Sequence, residues 1–268
     1  MRRALFLLVL AGWMDAGARG AEAPSPERQD LQAAAVVEAT VLAQTQAGGD
    51  TREAVERLDQ AFAALEAKYP RSAAVRDEHG NYLWWEQRQQ EAFKKWQEAE
   101  KLDGNNAYIC LHLGCSWLES GDTARAMGYI ERAVALAPGD AMLHFTLGND
   151  LYLFRHQLTN ASEPETAVVD RALGELKKAS DLAPMDAEYA QGYAETFYSL
   201  PVPKWPEAVK AWQRFYDISE NKDVAAINLA RISLLMKDKA AARRYLGKVT
   251  GAPFEGLKKK LMAQAGGA

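Results

Sequence analysis

Cysteine is scarce: 268 residues hold two, Cys110 and Cys115, too few for a disulfide framework. On one helix they are separated by a rise of about 7.5 Å and point about 140° apart, beyond bridging reach, so they read as small packing residues. Histidine is almost as sparse. The four present have no cysteine or carboxylate at ligand spacing, so neither a metal nor another cofactor is expected. A glycine-rich phosphate loop, a nucleophile elbow and a zinc-protease helix motif are all missing. Neighbouring carboxylates such as Glu98 and Glu100 fall on solvated helix faces with nothing to shift a pKa, and no catalytic residue emerges. There is no basic excess either. Lys and Arg number 32 against 36 Asp and Glu, a net charge of −4, which gives nucleic acid no broad electrostatic footing. The apolar run Ala4–Trp13 has about half of the roughly twenty residues that a bilayer span needs, so a membrane-spanning helix is not expected.

What that run does have is Arg2 and Arg3 in front and the small-residue tripeptide Ala18-Arg19-Gly20 behind. This is the layout of a secretory signal peptide over residues 1–20, cleaved near Ala21. Trp13 stands where a lipoprotein would carry its lipid-bearing cysteine, so no lipid anchor is expected. Residues 21–30, with Pro24 and Pro26, read as a flexible leader. The destination is an exported compartment, a bacterial periplasm or the exterior. A hydrophobic content of 48% is ample for a core in the remainder.

That remainder is punctuated by four tetrapeptides of one pattern, a breaker, any residue, a capping residue and alanine. They are Pro70-Arg71-Ser72-Ala73, Gly104-Asn105-Asn106-Ala107, Pro138-Gly139-Asp140-Ala141 and Pro184-Met185-Asp186-Ala187, at spacings of 34, 34 and 46. The breaker ends one helix, and the Ser, Asn or Asp side chain accepts N–H bonds at the start of the next. A second break at Gly121-Asp122 divides the unit 107–140 into two apolar-periodic helices of about three turns each. Small residues recur at equivalent places: Gly80, Gly114, Gly148, Ala194 and Ala230 in first helices, Ala92, Ala126, Ala172, Ala208 and Ala242 in second helices. They let two helix backbones approach closely.

The unit 107–140 carries Leu113-Gly114, Trp117, Ala126, Ile130, Ala133 and Pro138, and in that register the chain resembles the tetratricopeptide repeat family. Cys110 departs from the family's usual tryptophan. The resemblance implies an all-α fold, a right-handed α-solenoid of stacked antiparallel helix pairs. Its expected organisation is a degenerate helix pair over 31–72, repeats at 73–106, 107–140, 141–186, 187–222 and 223–252, and a capping helix and tail over 253–268. The unit 141–186 has 12 extra residues between its helices, a polar insertion around Arg155 to Ala167.

In the family the first helices line a concave groove. Positions 2, 5, 9 and 12 of a unit share one helical face, and the expected peptide-binding residues on it are Asn81, Trp84, Tyr108, Leu111, Cys115, Met142, Phe145, Asn149, Tyr152 and Tyr198. Aromatic and aliphatic anchors would supply burial, and the Asn81 and Asn149 amides would hold a peptide backbone. The family's clamp for a terminal carboxylate is matched here by Asn81 alone of five positions, with Asp77, His112, Met142 and Thr146 at the others, so that ligand is not expected. His79, His112 and His144 fall on first helices and are expected to serve packing. The reading is a non-catalytic scaffold for a protein or peptide partner. Alternatives are a structural subunit of an envelope assembly that uses outer helix faces around Arg125, Arg132 and Lys177, and an enzyme with an unrecognised site. Weak self-association through the degenerate ends also stays open.

Overall fold

A computed structural model describes residues 25–46, 52–160 and 162–266. Residues 1–20, expected to be a signal peptide, residues 21–24 of the expected leader and the expected break at Gly48-Gly49-Asp50 lie outside these. Every regular element among the described residues is helical. In chain order they are α1 (Pro26–Gln46), α2 (Arg52–Lys68), α3 (Ala73–Trp85), α4 (Gln89–Leu102), α5 (Ala107–Glu119), α6 (Thr123–Leu136), α7 (Ala141–Leu153), α8 (Arg155–Leu158), α9 (Glu165–Leu182), α10 (Ala187–Thr196), α11 (Trp205–Ile218), α12 (Lys222–Leu235), α13 (Lys239–Leu246) and α14 (Glu255–Gln264). The chain divides into two compact units, the first ending at Ser116 and the second beginning at Trp117.

The four tetrapeptides do what their chemistry dictates. Ser72 Oγ accepts from Val75 N at 3.0 Å, and Asn106, Asp140 and Asp186 accept from the amides two and three residues on, at 2.9–3.3 Å. Each satisfies N–H groups that a helix start leaves open. The leader is shorter than its prolines suggest. Pro26 opens α1 because a missing N–H costs nothing at the first helical position, and Ser25 Oγ accepts from Arg28 N at 3.3 Å.

The first unit packs α2, α3, α4 and the start of α5 around Phe62, Tyr82, Leu83, Trp96 and Ile109, all essentially inaccessible. Each such side chain contributes about 1.5–3 kcal/mol by leaving water. In the second unit α7 lies along α9, and α10, α11, α12 and α13 follow as two hairpins around Phe197, Trp212, Phe215, Leu229 and Ile232. All ten small-residue positions of the repeat pattern are buried. A Cβ on Gly148 would stand 3.0 Å from the Ala172 carbonyl, so this backbone approach admits no side chain. The terminal α14 closes the second unit by packing Leu261 on α12 and α13, with Ala226, Ala230 and Leu246.

Two details lay beyond the sequence pattern. Gln87, Gly121 and Lys237 each follow a first helix at the fifteenth position counted from Ala73, Ala107 and Asp223, and all three have positive φ, at 62°, 85° and 63°. Only one of the three is the glycine that this conformation favours. The described residues of the polar insertion are also tied into the structure by hydrogen bonds and ion pairs. Asn160 Oδ1 accepts from Ser162 N, Ser162 Oγ and Glu163 N, Thr123 Oγ1 donates to Gln157 Oε1 at 2.6 Å, and Arg171 ties Glu163 at 2.6 Å and also pairs with Glu131.

Candidate functional site

In the first unit the expected site face lies on α3 and the start of α5. Its polar members are committed to the protein itself. Asn81 accepts from Trp96 Nε1 at 3.2 Å through Oδ1 and donates to Glu78 at 3.1 Å through Nδ2. The reason is the Gly80–Trp96 approach: without a Cβ at Gly80 the indole slides in until its N–H also meets the Asp77 carbonyl at 3.3 Å. Asp77 is buried and bonded to His112 Nδ1 at 2.8 Å, and the His112 ring stacks on Trp96 at 5.1 Å. Burial, followed by the negative charge of Asp77, pushes the Glu78 carboxyl above its ordinary range. The expectation that Asn81 holds a peptide backbone is thereby corrected. Leu111 is corrected too, since at 5% exposure it is core. Trp84, Tyr108 and Cys115 stay half-buried, with the Trp84 ring 5.5 Å from that of Trp96.

In the second unit the face runs over α7, α10 and α12. Phe145, expected as an anchor, is 6% exposed. Its ring sits 4.7 Å from that of Tyr189 and fills the space above Gly192, where a Cβ would lie 2.6 Å from it. It wedges α7 against α10 and presents nothing to a partner. Met142, Asn149 and Tyr152 remain half-buried. Arg155 from the insertion folds its guanidinium over the Tyr152 ring at 4.6 Å and donates to the Tyr152 carbonyl at 2.8 Å, so one face of the ring is covered. Asn149 differs from Asn81: among the described residues its amide has no partner.

Further along, exposed Tyr198 donates to Asn228, whose backbone carbonyl and Oδ1 both lie 3.1 Å away. Burial of the ring shifts its phenol upward, and it stays a neutral donor. Asn228 and the exposed Arg231 thus join the face; Arg231 stands at position 9 of the 223–252 unit, as Asn81 and Asn149 do in theirs, whereas Asn228 is at none of the four face positions. A usable signal was their place on the first helix of the 223–252 segment, five and eight residues after Asp223. Exposed Glu188 and Glu195, the latter accepting from Gln191 at 2.7 Å, give the strip a mainly acidic rim.

The histidines do have carboxylate partners, all supplied by other helices. His79 meets Glu66 at 2.6 Å, His112 meets Asp77, and His144 meets Glu175 at 2.5 Å with its other ring nitrogen 3.0 Å from the Pro138 carbonyl. Glu66 also accepts from Lys95 at 2.8 Å, so the His79 pair extends to a third group. Among the described residues no three His, Cys, Asp or Glu side chains are arranged to hold a metal ion. Cys110 is buried, Cys115 is half-buried, and neither is in a disulfide. No described helix is long and apolar enough to cross a membrane.

Neither a protein-family model nor a curated protein sequence matches the chain. Solved structures do. PilF of Pseudomonas aeruginosa is 15% identical over 90% of this chain and 100% of its own, with a TM-score of 0.59. YrrB, a tetratricopeptide-repeat protein described as having an unusual peptide-binding site, is 17% identical over 76% of this chain and 98% of its own, at 0.60. PilW, described as a widely conserved type IV pilus biogenesis factor, is 12% identical over 86% and 99%, at 0.55. With its stacked hairpins, capped turns and paired small residues, the chain has the fold of the tetratricopeptide-repeat proteins.

Proposed function

We propose that the chain is a non-catalytic scaffold that binds an extended or helical segment of a protein partner along the first-helix face of its second unit. The observation that carries this is the open amide of Asn149 between half-buried Met142 and Tyr152. A side-chain amide without an internal partner, beside apolar surface, suits a peptide that brings both backbone groups and a side chain to bury. Stacked helices hold these groups in place before binding, so little ordering entropy opposes it. The acidic rim of Glu188 and Glu195 favours a neutral or basic segment. That YrrB shares the fold and is described with a peptide-binding site supports the mode of action, and PilW supports a setting in an envelope assembly.

The compartment in this reading is an exported one, a bacterial periplasm. Cell fractionation of a tagged chain tests that part, and retention in the cytoplasm would refute it. For the site, the mature chain and an Asn149→Ala/Tyr152→Ala variant would each be cross-linked and captured from the native envelope. Loss of a specific protein from the variant alone, with its helical circular dichroism preserved, is the expected result. Unchanged capture of every specific partner would overturn the assignment.

A further inference from the structure

The modest net charge conceals a strong separation. Residues 221–268 contain ten Lys and Arg against three Asp and Glu, a balance of +7, whereas residues 1–220 carry −11. Two of the three acids there are engaged with backbone: Asp223 accepts from Thr250 N at 3.0 Å and Gly251 N at 2.7 Å, and Asp238 caps Ala241 N at 2.8 Å. Among the described residues none of the ten cations forms an ion pair, although cross-helix pairs such as Arg88 with Asp59 and Arg214 with Asp181 occur elsewhere. The α12–α13 turn adds a second feature. Leu235 is 53% exposed and Met236 45%, at the end of a helix whose other aliphatics are largely buried. Exposed Arg231 precedes this pair by one helical turn, and exposed Lys237 and Lys239 follow it directly. The left-handed Lys237 turns the chain back so that the pair stands at the tip.

We propose that this tip is a docking site for an anionic lipid bilayer, with Leu235 and Met236 entering the headgroup boundary and Arg231, Lys237 and Lys239 held by lipid phosphates. Cations alone would serve any polyanion. Two exposed aliphatic side chains flanked by cations gain further only where apolar surface lies directly beneath the charge, as in a membrane interface. The site is independent of the Asn149 face.

The test is co-sedimentation of the full mature chain with vesicles of phosphatidylcholine alone or of phosphatidylcholine mixed with phosphatidylglycerol. Binding is expected only with phosphatidylglycerol and should weaken as salt rises. Each cation near such a surface is worth about a fivefold change in affinity, so Lys237→Gln/Lys239→Gln should weaken binding on the order of twentyfold. Leu235→Gln/Met236→Gln should weaken it by roughly tenfold with the cations intact. All four side chains are exposed, and circular dichroism would verify the fold. Equal binding to both vesicles, or undiminished binding by the Leu235→Gln/Met236→Gln variant, overturns the proposal. So does tighter binding to a DNA duplex than to the anionic vesicles. A salt-sensitive dimer without vesicle binding would instead assign the patch to the acidic part of a second copy. The Asn149→Ala/Tyr152→Ala variant should bind vesicles like the wild type.

Discussion

Replacing Gly80 by alanine adds one methyl group, and the structure fixes what it meets. A Cβ at Gly80 would lie 2.5, 2.7 and 2.9 Å from three atoms of the Trp96 indole, a side chain with no exposed surface. The ring cannot withdraw freely, because His112 stacks on it at 5.1 Å and Trp84 lies against it at 5.5 Å. Overpacking of this kind costs about 1–3 kcal/mol. Moving the indole also weakens its bonds to Asp77 O and Asn81 Oδ1, worth about 1 kcal/mol together at those lengths. Against this, alanine in a helix interior is better than glycine by about 1 kcal/mol. The net expectation is a loss of about 2 kcal/mol. Gly128→Ala and Gly174→Ala make the same chemical change in helix interiors where nothing lies within 4 Å, so they should gain about 0.5–1 kcal/mol. Urea and thermal unfolding followed by far-UV circular dichroism compare the three, and near-UV circular dichroism reports the indole environment. A Gly80→Ala protein as stable as the wild type, beside stabilised Gly128→Ala, would refute the claim that packing around Trp96 is rigid.

Three further outcomes are expected. Trp96→Phe should cost about 1 kcal/mol more than Trp212→Phe, because both indoles are fully buried but only the Trp96 N–H has acceptors, and urea unfolding measures the difference. Gln87→Gly should raise stability by up to about 1 kcal/mol by relieving a left-handed conformation that glycine adopts freely, seen as a higher melting temperature. Stability should also fall with acidification in a way that depends on His79. Burial, opposed by the Glu66 carboxylate, holds its imidazole below the ordinary value of 6.5, so as pH falls the unfolded chain takes up a proton before the folded one does. The stabilisation present above about pH 6.5 is therefore lost below it. Glu66, where burial is outweighed by bonds from Lys95 and His79, is lowered as well, and its contribution goes only below its ordinary 4.5. Melting temperatures of wild type and His79→Phe, which keeps a ring against Phe62, should converge as pH falls from about 7.5 to about 5.5. A constant gap would contradict the assignment.

The hairpins and their turns were legible in the sequence because each signal is local. Ser72, Asn106, Asp140 and Asp186 cap amides two or three residues away, and the small residues at Gly80, Gly148 and Ala172 mark contacts that recur with the repeat. The start of α1 was misread because a proline can either break a helix or open one, and the cap that decides between them is Ser25. The site was harder, because a repeat position tells which way a side chain points but not what stands opposite. Phe145 points toward the expected face, yet Gly192, in a different hairpin, leaves a hole that the ring fills. The histidine partners Glu66, Asp77 and Glu175 come from 13, 35 and 31 residues away, outside any ligand spacing on one helix. Net charge misled in a similar way, since −4 averages a basic end with an acidic remainder.

Asn81 and Asn149 show how far a repeat can carry a functional argument. They occupy the same position of their units, each one residue after the close-approach glycine, Gly80 or Gly148. What separates them is the side chain that the neighbouring helix lays on that glycine. Trp96 ends in an N–H and draws the Asn81 carbonyl inward. The equivalent contact on Gly148 is with Leu176, which has no polar atom to offer, and Asn149 keeps its amide for solvent or a ligand. The repeat therefore fixes where a binding residue can stand, and one tryptophan-or-leucine choice on the adjoining helix decides whether it is structural or available. On that reasoning Leu176→Trp, if the indole is accommodated over Gly148, should close the Asn149 amide and reduce capture of a peptide partner without touching the binding face. Unaltered capture by a folded Leu176→Trp protein would show that the amide is not what the partner uses.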